Sequence, residues 1–160
     1  MIDFEALSRA VEGIYAMHGR LREYAHIERV AAMTRVSGDR ATAYLHDVVE
    51  DGLLTLPMVR TTLYTVGAVD DSANSVLRAV ATLTRRPFES YREYIDRIVA
   101  SDDRTAMRVK QLDLFDHLSP YTRHTLEREK AERYVGALEL LVKASLPWID
   151  PDVSGTAQSR

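Results

Sequence analysis

Residues 43–52 read AYLHDVVEDG. His46 stands directly before Asp47, and Glu50 and Asp51 follow each of them by four residues, a little over one helical turn. On a helix this spacing puts His46 beneath Glu50 and Asp47 beneath Asp51, in two neighbouring rows. Tyr44, Leu45, Val48 and Val49 make the rest of the stretch apolar, as a helix facing a core requires. Ionisable groups on such a helix are costly to bury unless they are paired or bind a metal. The stretch therefore predicts a core helix whose end carries a cation site.

Outward from this segment, apolar residues recur at steps of three and four, without the sustained alternation that a half-buried strand needs. The chain reads as all-α, a compact fold of about eight helices. Phe4 to Met17 makes the first helix. A second begins near His26 and ends at Ser37-Gly38, where Gly suits a left-handed cap. A third starts at Asp39, read as its N-cap, and runs to Asp51, with Gly52 closing it. Thr55 caps a fourth over Leu56 to Val66, where Pro57 is tolerated in the first turn. Ser72 to Leu83 forms a fifth, and the loop TRRPFES (84–90) leads through an N-cap at Ser90 into a sixth, Tyr91 to Ala100. The seventh follows Ser101-Asp102-Asp103 and stops at Ser119-Pro120. The eighth spans about Thr125 to Ser145 and carries charge pairs such as Glu129 with Arg133. Residues 1–146 read as one domain and 147–160 as a loose tail, its start pinned by Trp148.

Lys and Arg number 21 against 24 Asp and Glu, and no basic stripe stands out, so nucleic acid and anionic membranes are not expected partners. A small solute is. The absence of cysteine removes disulfides, thiolate metal ligands and cysteine nucleophiles. The opening MIDFEALSRAVEGIYAMH (1–18) is too polar for a signal peptide or a membrane span, which points to the cytoplasm.

A divalent metal needs more ligands than one dipeptide supplies. Flanking helices offer His26 in YAHIERVA (24–31) and Asp113 in VKQLDLFDHL (109–118), each within an apolar helical pattern. Two imidazoles and two carboxylates suit one intermediate cation such as manganese, with iron, nickel or zinc as alternatives. No histidine occurs between Asp47 and Asp113. Such an ion acidifies bound water and polarises a phosphoryl oxygen, so phosphoester or pyrophosphate hydrolysis is the natural reaction class. Glu50 and Asp51 stand one turn beyond, able to orient or deprotonate the attacking water.

The order of a lone His, then HD followed by ED, then a distant Asp resembles the HD superfamily of metal-dependent phosphohydrolases, in particular the hydrolase domain of RelA/SpoT-type alarmone enzymes and their small stand-alone relatives. HIERVA, HDVVEDG, LTRRPFESYREYI and VKQLDLFDHL look like successive blocks of that group and span residues 26–118. The resemblance implies an HD-domain fold and one bound Mn held by His26, His46, Asp47 and Asp113, with Glu50 and Asp51 as the catalytic pair. It also implies hydrolysis of the 3′-pyrophosphate of ppGpp, pppGpp or a related nucleotide. Where that family commonly has a longer basic loop before its first metal histidine, this chain has only GRLREYA (19–25); where it usually has Asn four residues after the last aspartate, this chain has His117.

Expected substrate contacts are Arg22, Lys110 and His117, joined by Arg85 and Tyr94, which with Arg86 and Tyr91 divide between pocket and loop packing. His18 and His124 read as surface residues. The charged run LEREKAERY (126–134) reads as a solvated helix face, with a subunit contact, and so a homodimer, as its alternative. Two other functions share the same sequence features: a 5′-deoxynucleotidase, which the same metal core would serve, and a non-catalytic, antitoxin-like nucleotide binder.

Overall fold

In a computed structural model, residues 1–148 are described, and among them every regular element is helical. The elements are α1 (Phe4–Met17), α2 (Leu21–Ala32), α3 (Ser37–Leu45), α4 (Leu56–Thr65), α5 (Asp70–Leu83), α6 (Tyr91–Ala100), α7 (Arg104–Leu118) and α8 (Arg128–Ser145). Single 3₁₀ turns lie at Arg123–Thr125 and Leu146–Trp148. No described helix is long and apolar enough to cross a membrane. The tail beyond 148 and the expected pin at the Trp148 side chain lie outside the described residues.

Local chemistry sets several boundaries. The Asp3 and Asp103 carboxylates accept from Ala6 N–H and Ala106 N–H at the starts of α1 and α7. Ser90 and Glu93 exchange side-chain and backbone bonds in a capping box that starts α6, and Thr55 caps α4. Gly67, at φ +86, ends α4 in a left-handed turn where a Cβ would lie 2.9 Å from the Met1 carbonyl oxygen, so this position needs glycine twice over.

The second and third helices depart from the sequence reading. Helix α2 begins at Leu21, a turn and more before His26, and stops at Met33. Ser37-Gly38 does not end it. Those residues open α3, and Asp39 is no N-cap but lies buried, gripping Arg108 of α7 through Nε at 2.6 Å and a terminal guanidinium nitrogen at 2.9 Å. Regular α3 then ends at Leu45, one residue before the HD pair. There the Ala43 carbonyl, which a continuing helix would offer to Asp47 N–H, binds His46 Nδ1 at 2.7 Å. Residues 46–52 continue as turns that close at Gly52, φ +70, so the two regular rows of polar groups are not built; one helix-like bond survives, from Asp51 N–H to the Asp47 carbonyl at 2.8 Å.

Helix α3 sits at the centre, buried at Asp39 and from Ala41 through Leu45 and packed against α1, α2, α5 and α7. Its last five residues, Ala41–Leu45, are buried on every side, as a central helix requires. Its C-terminal end thus emerges between α2 and α7, while α8 packs across α7 and α6. That arrangement carries His26, the HD pair and Asp113 to one place.

Candidate functional site

Four of the expected side chains converge there. His26 Nε2 lies 3.0 Å from Asp113 Oδ1, and His46 Nε2 lies 3.3 Å from Asp47 Oδ2 and 3.8 Å from Asp113 Oδ1. His26, His46 and Asp47 each present a ligand atom within 4.8 Å of the others, and so do His26, Asp113 and His117. The site is deep: His46 and Asp113 are almost fully buried.

The two imidazoles are aimed by their far nitrogens. His26 Nδ1 donates to Asp116 Oδ2 at 2.8 Å, and His46 Nδ1 to the Ala43 carbonyl. With Nδ1 carrying the proton, each Nε2 turns a lone pair into the cluster, as metal-ligating histidines do. Both Nε2 atoms are buried without a hydrogen-bond partner; even the 3.0 Å approach of His26 to Asp113 lacks hydrogen-bond alignment. Buried nitrogens of this kind are rare unless something else satisfies them, and together with two carboxylates they fit one divalent cation.

The electrostatics agree. Burial alone would raise Asp113, but Lys110 and the three surrounding histidines hold its carboxyl well below the ordinary range. Burial likewise opposes the lowering of Asp47, and His46 prevails. Burial disfavours a proton on His46, yet Asp47 and Asp113 lift it well above the usual imidazole value; His26 is raised in the same way by Asp113. The two carboxylates thus draw protons onto the imidazoles, and a cation at this place would compete with those protons. Lys110 Nζ sits 2.6 Å from Asp113 Oδ2 and 5.2 Å from the centre of the Tyr94 ring, and its proton is held well above the usual lysine value against the pull of burial.

Beside the cluster lies a polar cleft of about 330 Å³ lined by Glu50, Arg85, Tyr91, Tyr94, Lys110, Lys130, Arg133 and Tyr134. Four cations face it with one carboxylate, which suits a polyanion next to a single proton acceptor. Glu50 is exposed, and its Oε2 accepts from Arg85 N–H at 2.9 Å. Asp51 differs from it. Its Oδ2 accepts from the buried Tyr15 hydroxyl at 3.1 Å and its Oδ1 from Arg20 at 2.9 Å, so both oxygens are engaged with the α1–α2 corner. Burial, then Asp47 and Asp51, push the Tyr15 hydroxyl far above the ordinary tyrosine value, keeping it a donor.

The other expected contacts separate. His117 stands 3.3 Å from Asp113 Oδ1, and Lys110 joins cluster to cleft. Arg22 lies exposed on α2, one turn before His26 and on the same face, outside the cleft lining. The Arg85 guanidinium holds the Glu89 carbonyl at 2.6 and 2.9 Å. Tyr94 contributes a ring and no free hydroxyl, because its O–H donates to the Leu83 carbonyl at 2.5 Å. His18 and His124 are exposed.

Sequence reasoning missed Lys130, Arg133, Tyr134 and Asp116. LEREKAERY is not simply a solvated face: Arg128 pairs with Glu132 at 2.9 Å, while Lys130, Arg133 and Tyr134 turn to the cleft. A usable signal existed. Positions 130, 134, 137 and 141 follow one helical stripe, and Ala137 and Leu141 are its buried continuation. The chain matches no protein-family model, and no curated protein matches it.

Proposed function

We propose that this chain is a metal-dependent phosphohydrolase of the HD type, acting on a nucleotide that carries a pyrophosphate, such as ppGpp or pppGpp at the 3′ position. One observation carries the reading: two buried, unpartnered imidazole nitrogens face two carboxylates immediately beside a cleft lined by four cations and Glu50. His26, His46, Asp47 and Asp113 would hold one divalent cation. When bound, such an ion polarises a phosphoryl oxygen and acidifies water.

The chain's own groups supply the rest. Lys110, Arg85, Lys130 and Arg133 meet the phosphate oxygens and orient the anion over the cluster. Glu50, its Oε2 steadied by Arg85 N–H, takes the proton of the attacking water on Oε1. Asp51 has a different part: its clasp with Tyr15 and Arg20 anchors the turn that carries both Glu50 and Asp47. Tyr91 and Tyr134, rings 5.6 Å apart, wall the cleft on the side of α8.

The test is to incubate Mn-loaded protein with ppGpp, pppGpp, GTP and the deoxynucleoside monophosphates and to identify products by anion-exchange chromatography. Pyrophosphate with GDP or GTP is the expected outcome. Inorganic phosphate from the monophosphates alone would make the chain a nucleotidase, and tight binding without turnover would make it a binder.

A further inference from the structure

The Asp113 Oδ1 atom is the focus of three imidazoles and not two. His26 Nε2 approaches it to 3.0 Å, His117 Nε2 to 3.3 Å and His46 Nε2 to 3.8 Å. His117 stands four residues after Asp113 on α7, so both project from one helical face toward α2. Its ring stacks on that of His26 with centroids 4.4 Å apart and planes 26° from parallel, and both Nε2 atoms bear on the same oxygen. Two imidazoles side by side with their nitrogens directed at one point have the disposition of adjacent ligands of one ion. The outer face of His117 is backed by Tyr134 at 5.4 Å, which limits the swing of its ring.

We propose that His117 is a fifth protein ligand, making the centre one of three histidines and two aspartates for a single cation. This rests on the metal-centre reading above and changes its chemistry. A third imidazole moves the donor set from the oxygen-rich kind that suits manganese toward one that favours zinc, nickel or iron. It also takes His117 away from the substrate: its nitrogen faces the cluster, and the cleft lining does not include it.

The variant that isolates this role is His117→Phe, which keeps an aromatic ring between His26 and Tyr134 and deletes only the nitrogens; His117→Gln serves as a polar control. Metal-stripped full-length protein is titrated with Zn²⁺ and with Mn²⁺ against a chelator of known affinity, and the histidine count around bound Zn is read by X-ray absorption. In the wild type three imidazoles are expected, falling to two in both variants, with zinc affinity reduced at least about tenfold and manganese affinity reduced less. Two imidazoles in the wild type, or unchanged zinc affinity in His117→Phe, would overturn the assignment and leave the four-ligand centre standing. A wild-type chain that takes up neither metal would overturn the centre itself.

Discussion

Arg29 and Asp116 are locked by two hydrogen bonds of 2.8 Å, one from Nε and one from a terminal guanidinium nitrogen, and the same carboxylate accepts from His26 Nδ1 at 2.8 Å. A residue of α2 thereby steers the partner that steers a histidine of its own helix, one that faces the cluster. Asp116→Asn cannot accept from all three donors, so the His26 ring loses both orientation and basicity. The expected result is metal affinity weakened roughly ten- to a hundredfold, with the ligand set intact. Titration calorimetry with Mn²⁺ checks it; an unchanged affinity would make the fork a purely structural tie between α2 and α7.

Glu50 and Asp51 are adjacent in sequence and unlike in surroundings, which separates their variants. Glu50→Gln should lower kcat by roughly a hundred- to ten-thousandfold, the range for losing a general base, while leaving Tm and metal content alone. Asp51→Asn should act mainly on the fold. Its amide nitrogen must face either Arg20, which can only donate, or the Tyr15 hydroxyl, whose proton then loses its acceptor, so Tm falls and any loss of rate follows from a loosened 46–52 turn. Equal kcat losses at unchanged Tm in both would return Asp51 to the chemistry.

The cleft makes opposite demands on Tyr94, expected from the sequence as a substrate contact, and on Arg133, read there as part of a solvated helix face. Arg133 is exposed at the cleft, so Arg133→Ala should raise KM about tenfold with kcat little changed, the pattern for lost uniform binding. Tyr94→Phe should leave KM alone and cost about 1 kcal/mol of stability, because it strips the buried Leu83 carbonyl of its donor. Steady-state kinetics and urea unfolding on the same preparations distinguish the two.

Glu89 links the 84–90 loop to α6 and gives a pH signature. Its hydrogen bonds from Arg97, at 2.6 and 2.9 Å between largely buried side chains, hold the carboxyl down to about 2. A lowered folded-state pKa contributes stability that is complete above the unfolded value of about 4.5 and is lost as pH falls toward about 2. The Tm gap between wild type and Glu89→Gln should therefore be widest near neutrality and narrow steadily below pH about 4.5. A gap constant from pH 7 to 3 would mean that the ion pair is not its source.

What could be read in advance depended on contrast with neighbouring residues. His26, His46 and Asp113 stood out because each interrupts an apolar helical pattern, and helix starts at Thr55 and Ser90 could be read because capping is local chemistry. Asp39 gave the wrong boundary for the same reason: an acid after Ser-Gly looks like a cap, and only the distant Arg108 makes it a core residue. Lys130 and Arg133 were hidden among five charged or aromatic neighbours in LEREKAERY, and only the stripe continued by Ala137 and Leu141 further along α8 marks the inward side. The early end of α3 is likewise invisible until His46 Nδ1 is seen on the Ala43 carbonyl.

The placement of the cleft wall on α8 has a consequence for the order in which the molecule is made. Synthesis proceeds from the N-terminus. A nascent chain that has reached Leu118 already contains every side chain of the histidine–aspartate cluster, yet Lys130, Arg133 and Tyr134 have still to be added. The cluster proposed to hold a cation is thus encoded ahead of the residues proposed to choose what is brought to it.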